Sequence, residues 1–508
     1  MTRAALMLLA AILLPGVFCT PCAAASAGGF DTATAASVWG AALAYIAPRS
    51  LQAVSIPQMT IWGLNGLAAL DPDLNTTLQD GQIRLYGPDQ LIAAVAAPPA
   101  GDAAGWGKAA ASVAAAAYAA SPALRQAGTQ GLISSFFDEL FNHFDPYSRY
   151  EPPLQAAQDQ LMITGLGGTG LTFGAQSGHV VITAIAADSP AMNAGLTAGT
   201  RVLAVNGAPA YPSQVARLNQ EMAGIPGSSA SFRLADPPDA GQPQTVTLVR
   251  TAIPPDTVSP ETPPAPGVLA LKISGFNRGT SDEFSSALAA AFSASPAPTG
   301  LMIDLRGNRG GVLRQAVLVA DSLMPRGKIA EAAGRDPDAD QIFTAEGADL
   351  TGDVPLVVLV DGQTASAAEI LSAAIADDGR GVVVGSETLG KGLVQTVTSL
   401  PDGGELYVTW SRVLAPRGWP LQTLGVMPQL CTSLGDAALN NQLAALAGGH
   451  NLLGPAVAES RAMRAPAGVD AILAVRDQCP ADIGGQLDLA AAAALFHDPS
   501  TYQAALLR

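Results

Sequence analysis

From Phe30 to about Pro153 apolar residues return at three- and four-residue spacing, with no long alternating runs, which predicts a helical region over residues 26–160. Two stretches there end an amphipathic pattern in Asp-Pro, at Asp71-Pro72 and Asp145-Pro146, where proline stops a helix. Between about Leu161 and Thr251 the character changes to short strands punctuated by glycine turns. Residues 179–185 read as a strand, 188–195 as a short capped helix closed by Gly195, and 199–207 as a strand entering an Asn-Gly turn. A helix over 211–222 and strands over 230–234 and 245–250 complete a module spanning 161–252. The proline-rich stretch 254–266 predicts a stiff, extended linker.

Beyond it, strands and helices alternate. Strands are expected at 268–273, 300–304, 355–360 and 381–384, with helices at 281–292, 312–323 and 366–376. That rhythm predicts an α/β core with a largely parallel sheet over 253–430. Residues 431–508 are rich in Ala and Leu and read as a helical extension. The fold class expected is therefore a multi-domain α/β protein.

The 508 residues are too many for one ordinary core, and with 49% hydrophobic and 13% charged residues the chain is not a disordered one. Its net charge of −16, without a Lys/Arg-rich run, argues against a nucleic-acid partner, which needs clustered positive charge. Arg3, an apolar stretch over 4–17 and the small residues around Cys22-Ala-Ala-Ala-Ser-Ala27 predict a secretory signal peptide over 1–25. No later stretch reads as an integral membrane span. Export, to the periplasm as the expected compartment, leaves Cys431 and Cys479 as plausible disulfide partners, with two buried free thiols as the alternative.

Three segments carry candidate chemistry. Val357-Val-Leu-Val-Asp-Gly-Gln-Thr-Ala-Ser366-Ala-Ala-Glu-Ile370 runs from an apolar strand through a turn into a helix, which places Ser366 at a helix N-terminus that favours negative charge. A serine there is equally an ordinary N-cap. A nucleophilic serine needs a base, and the four histidines (His143, His179, His450, His497) all fall outside the α/β core. Lys391, in Thr388-Leu-Gly-Lys-Gly-Leu-Val-Gln395, is an alternative base if burial depresses its pKa, and otherwise a surface lysine in a turn. Asp304-Leu-Arg-Gly-Asn-Arg-Gly-Gly311 follows a buried strand, and its paired glycines can present N–H groups to an oxyanion. Its spacing fits neither phosphate-binding fingerprint.

The order of these segments resembles the carboxyl-terminal processing (tail-specific) peptidases, in which the catalytic lysine follows the serine by the 25 positions that separate Lys391 from Ser366. Phe144-Asp-Pro-Tyr-Ser-Arg-Tyr150 is similar to the family's Asp-Pro-His-Ser-x-Tyr segment, and Gly425-Val-Met-Pro428 to its Gly-Ile-x-Pro. Gly168-Thr-Gly-Leu171, Ser189-Pro-Ala-Met-Asn-Ala-Gly195 and residues 199–207 resemble its PDZ domain. The resemblance, which covers about Leu132 to Gln429, implies a PDZ domain of α+β type and a crotonase/ClpP-like α/β protease core, set between the helical N-terminal region and the helical C-terminal tail read from the pattern above. It implies Ser366 as nucleophile, Lys391 as base, Gln395 as the group orienting the lysine amine, and Ala367 with Gly310 or Gly311 as the oxyanion hole. Gly168, Thr169, Gly170 and Leu171 would bind a substrate carboxylate. The implied activity is endoproteolysis near protein C-termini, with no metal and no cofactor. Its partners would be protein or peptide substrates with free C-termini, besides an adaptor or a homo-oligomer. Gly307 and Arg309 depart from the family's oxyanion-loop pattern, and Ala368 stands where many relatives have serine. A catalytically silent binding or scaffold relative and a Ser-His hydrolase are the competing interpretations.

Overall fold

A computed structural model describes residues 29–156, 167–186, 189–235, 242–252 and 255–506. The expected signal peptide over 1–25, with Cys19 and Cys22, lies outside the described residues.

The parallel core forms as its sequence dictates. Leu356–Val360 and Val382–Gly385 are unbroken apolar runs, buried on both faces, the signature of strands covered by helices on each side. They belong to a six-stranded sheet in the order Val258–Pro260, Val268–Ile273, Gly300–Asp304, Leu356–Val360, Val382–Gly385, Leu430–Cys431, parallel except for its first pair. Helix Ala367–Asp378 is buried from Ala367 through Asp377, which explains its small residues, and it stops at Gly379 in the left-handed conformation (φ 69°).

Three expectations need correction. Residues 75–96, anticipated as helical, form an antiparallel meander of Asn75–Gln79, Gln82–Tyr86 and Leu91–Ala96. Asp80 and Gly81 make its first turn at φ 50° and 70°, and Ile83 and Leu85 alternate inward. The remainder of that region is helical: Thr32–Arg49, Ile56–Leu70, Ala103–Ala120 and Pro122–Asn142. Second, the proline-rich stretch expected as a stiff, extended linker is partly built into the core sheet. Its Val258–Pro260 pairs antiparallel with Leu271–Ile273 at the sheet edge, where a residue lacking an N–H is tolerated.

Third, the core holds a second, antiparallel sheet in the order Gln341–Ala345, Gly327–Gly334, Glu405–Leu414, Leu393–Ser399. Arg149–Glu151, from the end of the N-terminal region, adds to it beside Glu405–Tyr407. The module after residue 166 is an antiparallel sheet in the order Gln244–Val249, Ser229–Ala235, Arg201–Val205, His179–Ile185, Leu171–Gln176, with helix Val215–Met222. Five helices between Asp436 and Ala505 make up most of the extension. No helix among the described residues is long and apolar enough to cross a membrane.

Candidate active site

The turn between Leu356–Val360 and Ala367–Asp378 carries Ser366. Asp361 Oδ1 accepts from the N–H groups of Gln363 and Thr364 (3.0 Å each) and from Gly307 N–H (3.0 Å) across the gap to the neighbouring loop. Thr364 Oγ1 donates to Leu305 O (2.9 Å), and Ala365 N–H to Asn308 O (2.9 Å). The serine turn and the 304–311 loop are thus one hydrogen-bonded unit. Ser366 sits at φ 56°, ψ −117°, a conformation that L residues rarely adopt and that surrounding structure must enforce. Gly310 is obligatory here, because an added Cβ would come within 2.8 Å of Ser366 Cβ.

Glu369 joins this turn to the loop bearing Lys391. Its carboxylate is fully buried. Oε2 accepts from Ser366 N–H (2.7 Å) and Lys391 N–H (2.9 Å), while Oε1 accepts from Thr388 Oγ1 (2.5 Å) and Gly390 N–H (2.7 Å). Burial raises its pKa, opposed by these four donors, whose convergence suits a carboxylate. One oxygen therefore grips the main chain of both Ser366 and Lys391. Sequence reasoning assigned Glu369 no role, although glutamate three residues after a helix-capping serine is a recognisable signal.

Ser366, Lys391, Gln395, Gly310 and Gly311 line one cavity of about 470 Å³, along with Arg309. The Lys391 amine reaches over the Tyr147 ring, 5.2 Å from its centroid. Its pKa is lowered by burial and by the charge of Arg149, with Glu369 opposing. Arg149 itself stacks on Tyr407 (3.8 Å) and pairs with Glu151. None of the four histidines lines this cavity; His143 instead stacks on Trp62 and pairs with Glu139.

Two of the expected contacts are arranged differently. Gly310 N–H is already donated to Asn308 Oδ1 (2.8 Å). Among the described residues the N–H groups of Gly311 and Ala367 have no acceptor. Gln395 shares the cavity without bonding to the Lys391 amine. Its Nε2 donates to Thr409 Oγ1 (3.2 Å), whose own hydroxyl donates to Asp145 Oδ1 (2.8 Å).

In the antiparallel module Gly170 adopts φ 80° and lies so close to Ser189 that a Cβ would clash at 2.1 Å. The Thr169 and Gly170 N–H groups have no acceptor among the described residues. Leu171 begins a strand whose Phe173 N–H and C=O are both taken by the side-chain amide of Asn219, at 2.8 and 3.0 Å. Cys431 and Cys479 are disulfide-bonded, their Cα atoms 5.8 Å apart.

Comparison with known proteins places these features in context. The model for peptidase family S41 matches residues 267–431. A carboxy-terminal-processing protease of Bartonella bacilliformis is 28% identical over 304 residues, covering 59% of this chain and 69% of that protein. A carboxyl-terminal-processing protease of Synechocystis sp. is 32% identical over 292 residues, covering 56% and 67%. Among solved structures, a photosystem II D1 C-terminal processing protease is 28% identical, covering 62% of this chain and 85% of that one with a TM-score of 0.37. On these sequence matches the chain belongs to the carboxyl-terminal-processing proteases of peptidase family S41.

Proposed function

We propose that the protein is an exported serine endopeptidase that cleaves proteins near their C-termini with Ser366 as nucleophile and Lys391 as general base. The observation that carries this is the shared cavity, in which one buried carboxylate holds the main chain of both residues. The Lys391 amine must be neutral to accept the serine proton, and burial together with Arg149 works in that direction. As Ser366 Oγ attacks the scissile carbonyl, the amine takes its proton, and the carbonyl oxygen becomes negative. Ala367 and Gly311 supply the N–H groups for that oxyanion, since Gly310 N–H is engaged elsewhere. The lysine then returns the proton to the leaving amine. Water repeats the sequence on the acyl-enzyme and frees the serine.

Gln395 serves this base indirectly, lining the cavity beside it while its amide donates to Thr409, whose hydroxyl in turn donates to Asp145. The module over 167–252 acts as a PDZ domain. Thr169 and Gly170 N–H groups bind the substrate carboxylate, and the tail adds as a strand beside Leu171–Gln176. The substrate is a protein with a free C-terminus, met outside the cytoplasm.

The test is cleavage of β-casein by the intact chain and by Ser366→Ala and Lys391→Ala variants with unchanged circular dichroism. Both variants lose turnover. Lys391→Arg does not restore it, because a guanidinium remains protonated. Turnover near the native rate in either alanine variant overturns the assignment.

A further inference from the structure

The loop over 386–392 that bears Lys391 is gripped on one side by Glu369; on the other it meets the C-terminal extension, outside the segment matched by the family model. Arg476 ends the helix Val469–Arg476. Its Nη2 donates to Thr388 O (2.9 Å), and its Nη1 to Leu424 O (2.8 Å) and Thr423 O (3.2 Å). One planar guanidinium thus clasps the lysine loop to the loop that follows strand Glu405–Leu414. The same Nη1 lies 3.8 Å from Glu387, a fully buried carboxyl with no hydrogen-bond partner among the described residues. At Gly425 an added Cβ would strike both Arg476 Nη1 (2.8 Å) and Glu387 Oε1 (2.9 Å), so the clasp excludes any side chain there.

The chain beyond Arg476 continues the contact. Cys479 O accepts from Glu387 N–H (3.2 Å), and the disulfide fixes Cys479 to Cys431, which pairs with Gly385 at the entry to the lysine loop. Asp482 exchanges two hydrogen bonds with Ser386 Oγ (3.0 Å each), and its carbonyl accepts from Gly362 N–H (2.8 Å) in the serine turn. Asp488 then pairs with Arg306 (3.0 Å) in the 304–311 loop. A single stretch over 476–488 touches all three loops of the site.

We propose that residues 476–488 are a strap that positions the Ser366–Lys391 pair, with Arg476 as its principal positioning residue. The proposal rests on the dyad assignment above. Arg476 holds the lysine loop by the Thr388 carbonyl and the Glu387 carboxyl, neither of them a reacting group, so its loss shifts the base without removing one. Small displacements of that kind cost on the order of tenfold to a hundredfold in rate.

The test compares Arg476→Ala, Arg476→Lys and Ser386→Ala in the full chain. It measures kcat and KM on β-casein, Ser366 labelling by a fluorophosphonate, and amide hydrogen exchange in a Ser366→Ala background. Arg476→Ala lowers kcat by about tenfold to a hundredfold with KM within about twofold. Labelling slows in parallel, and exchange quickens at 388–392 but not at 356–360. Arg476→Lys retains the charge beside Glu387 but not the forked grip, so its kcat falls between the two. Ser386→Ala, a small change on the lysine loop where it meets Asp482 of the strap, lowers kcat by a few-fold.

A folded Arg476→Ala protein with native kcat overturns the strap. So does equally quickened exchange at 356–360, which marks a general loss of stability. If Arg476→Ala fails to fold, native kcat in Ser386→Ala overturns it instead. Lys391→Ala in the same assay separates the two claims: activity there sinks the dyad, whereas an inactive Lys391→Ala beside an unaffected Arg476→Ala sinks the strap alone.

Discussion

Glu369→Gln offers a near-isosteric probe of how Ser366 and Lys391 are held together. The carboxylate receives four donors and can accept all of them, whereas glutamine has one oxygen and presents an NH2 to the other pair. With the oxygen placed toward Ser366 and Lys391, the NH2 faces Thr388 Oγ1 and Gly390 N–H. The threonine hydroxyl can turn to accept, although it already receives Val426 N–H (2.7 Å), but the Gly390 amide is left facing another donor. An orphaned buried N–H costs about 1–3 kcal/mol, and loss of charge assistance weakens the two retained bonds by about 1 kcal/mol each. Of this total, some 3 kcal/mol set against the reactive arrangement is about a hundredfold in kcat. Steady-state cleavage of β-casein measures it, with fluorophosphonate labelling of Ser366 as a second readout and thermal melting as a control. A folded Glu369→Gln enzyme whose kcat stays within twofold of native refutes the linkage.

Three further outcomes follow from the site. Ser366→Gly melts higher than Ser366→Ala by a few degrees, because glycine relieves about 1–2 kcal/mol of backbone strain at φ 56° that alanine retains; equal or reversed melting temperatures contradict it. The limb of kcat/KM that rises with pH reports loss of the Lys391 proton and lies below the ordinary lysine pKa; removing the positive charge in Arg149→Ala raises that pKa and moves the limb to higher pH, whereas a move to lower pH counts against the electrostatic account. Asn219→Ala frees the Phe173 N–H and C=O for strand pairing, so KM for a protein with an accessible tail falls several-fold, roughly 1 kcal/mol, while the same protein with an amidated C-terminus shows no gain; an unchanged KM rules out a plugged groove.

Periodicity disclosed the parallel core because Leu356–Val360 and Val382–Gly385 are uninterrupted apolar runs flanked by turn residues. The meander at 75–96 escaped because Leu91–Ala96, Leu-Ile-Ala-Ala-Val-Ala, carries no polar alternation and suits a helix as readily as a strand. Ser366 and Lys391 stood out through their turns, and the structure brings them to one cavity. What joins them did not stand out. Glu369 looks like an ordinary residue of a helix's first turn, and only the fold delivers Thr388 and Gly390 to its other oxygen. Arg476 and Tyr147 reach the site from opposite ends of the chain, a proximity that no local spacing encodes. The family resemblance implies Gln395 as the group that orients the lysine amine, yet its amide follows the demands of Thr409.

The pairing of Arg149–Glu151 with Glu405–Tyr407 closes a circuit of roughly 250 residues, and such long closures are slow to form. During synthesis the ring of Tyr147 and the charge of Arg149 have no lysine to act on until the hairpin ending at Leu414 has emerged. A nascent or truncated chain therefore carries Ser366 before the pairing that brings Tyr147 and Arg149 to Lys391 is in place. A protease built this way is not fully assembled until Arg149–Glu151 has paired with Glu405–Tyr407.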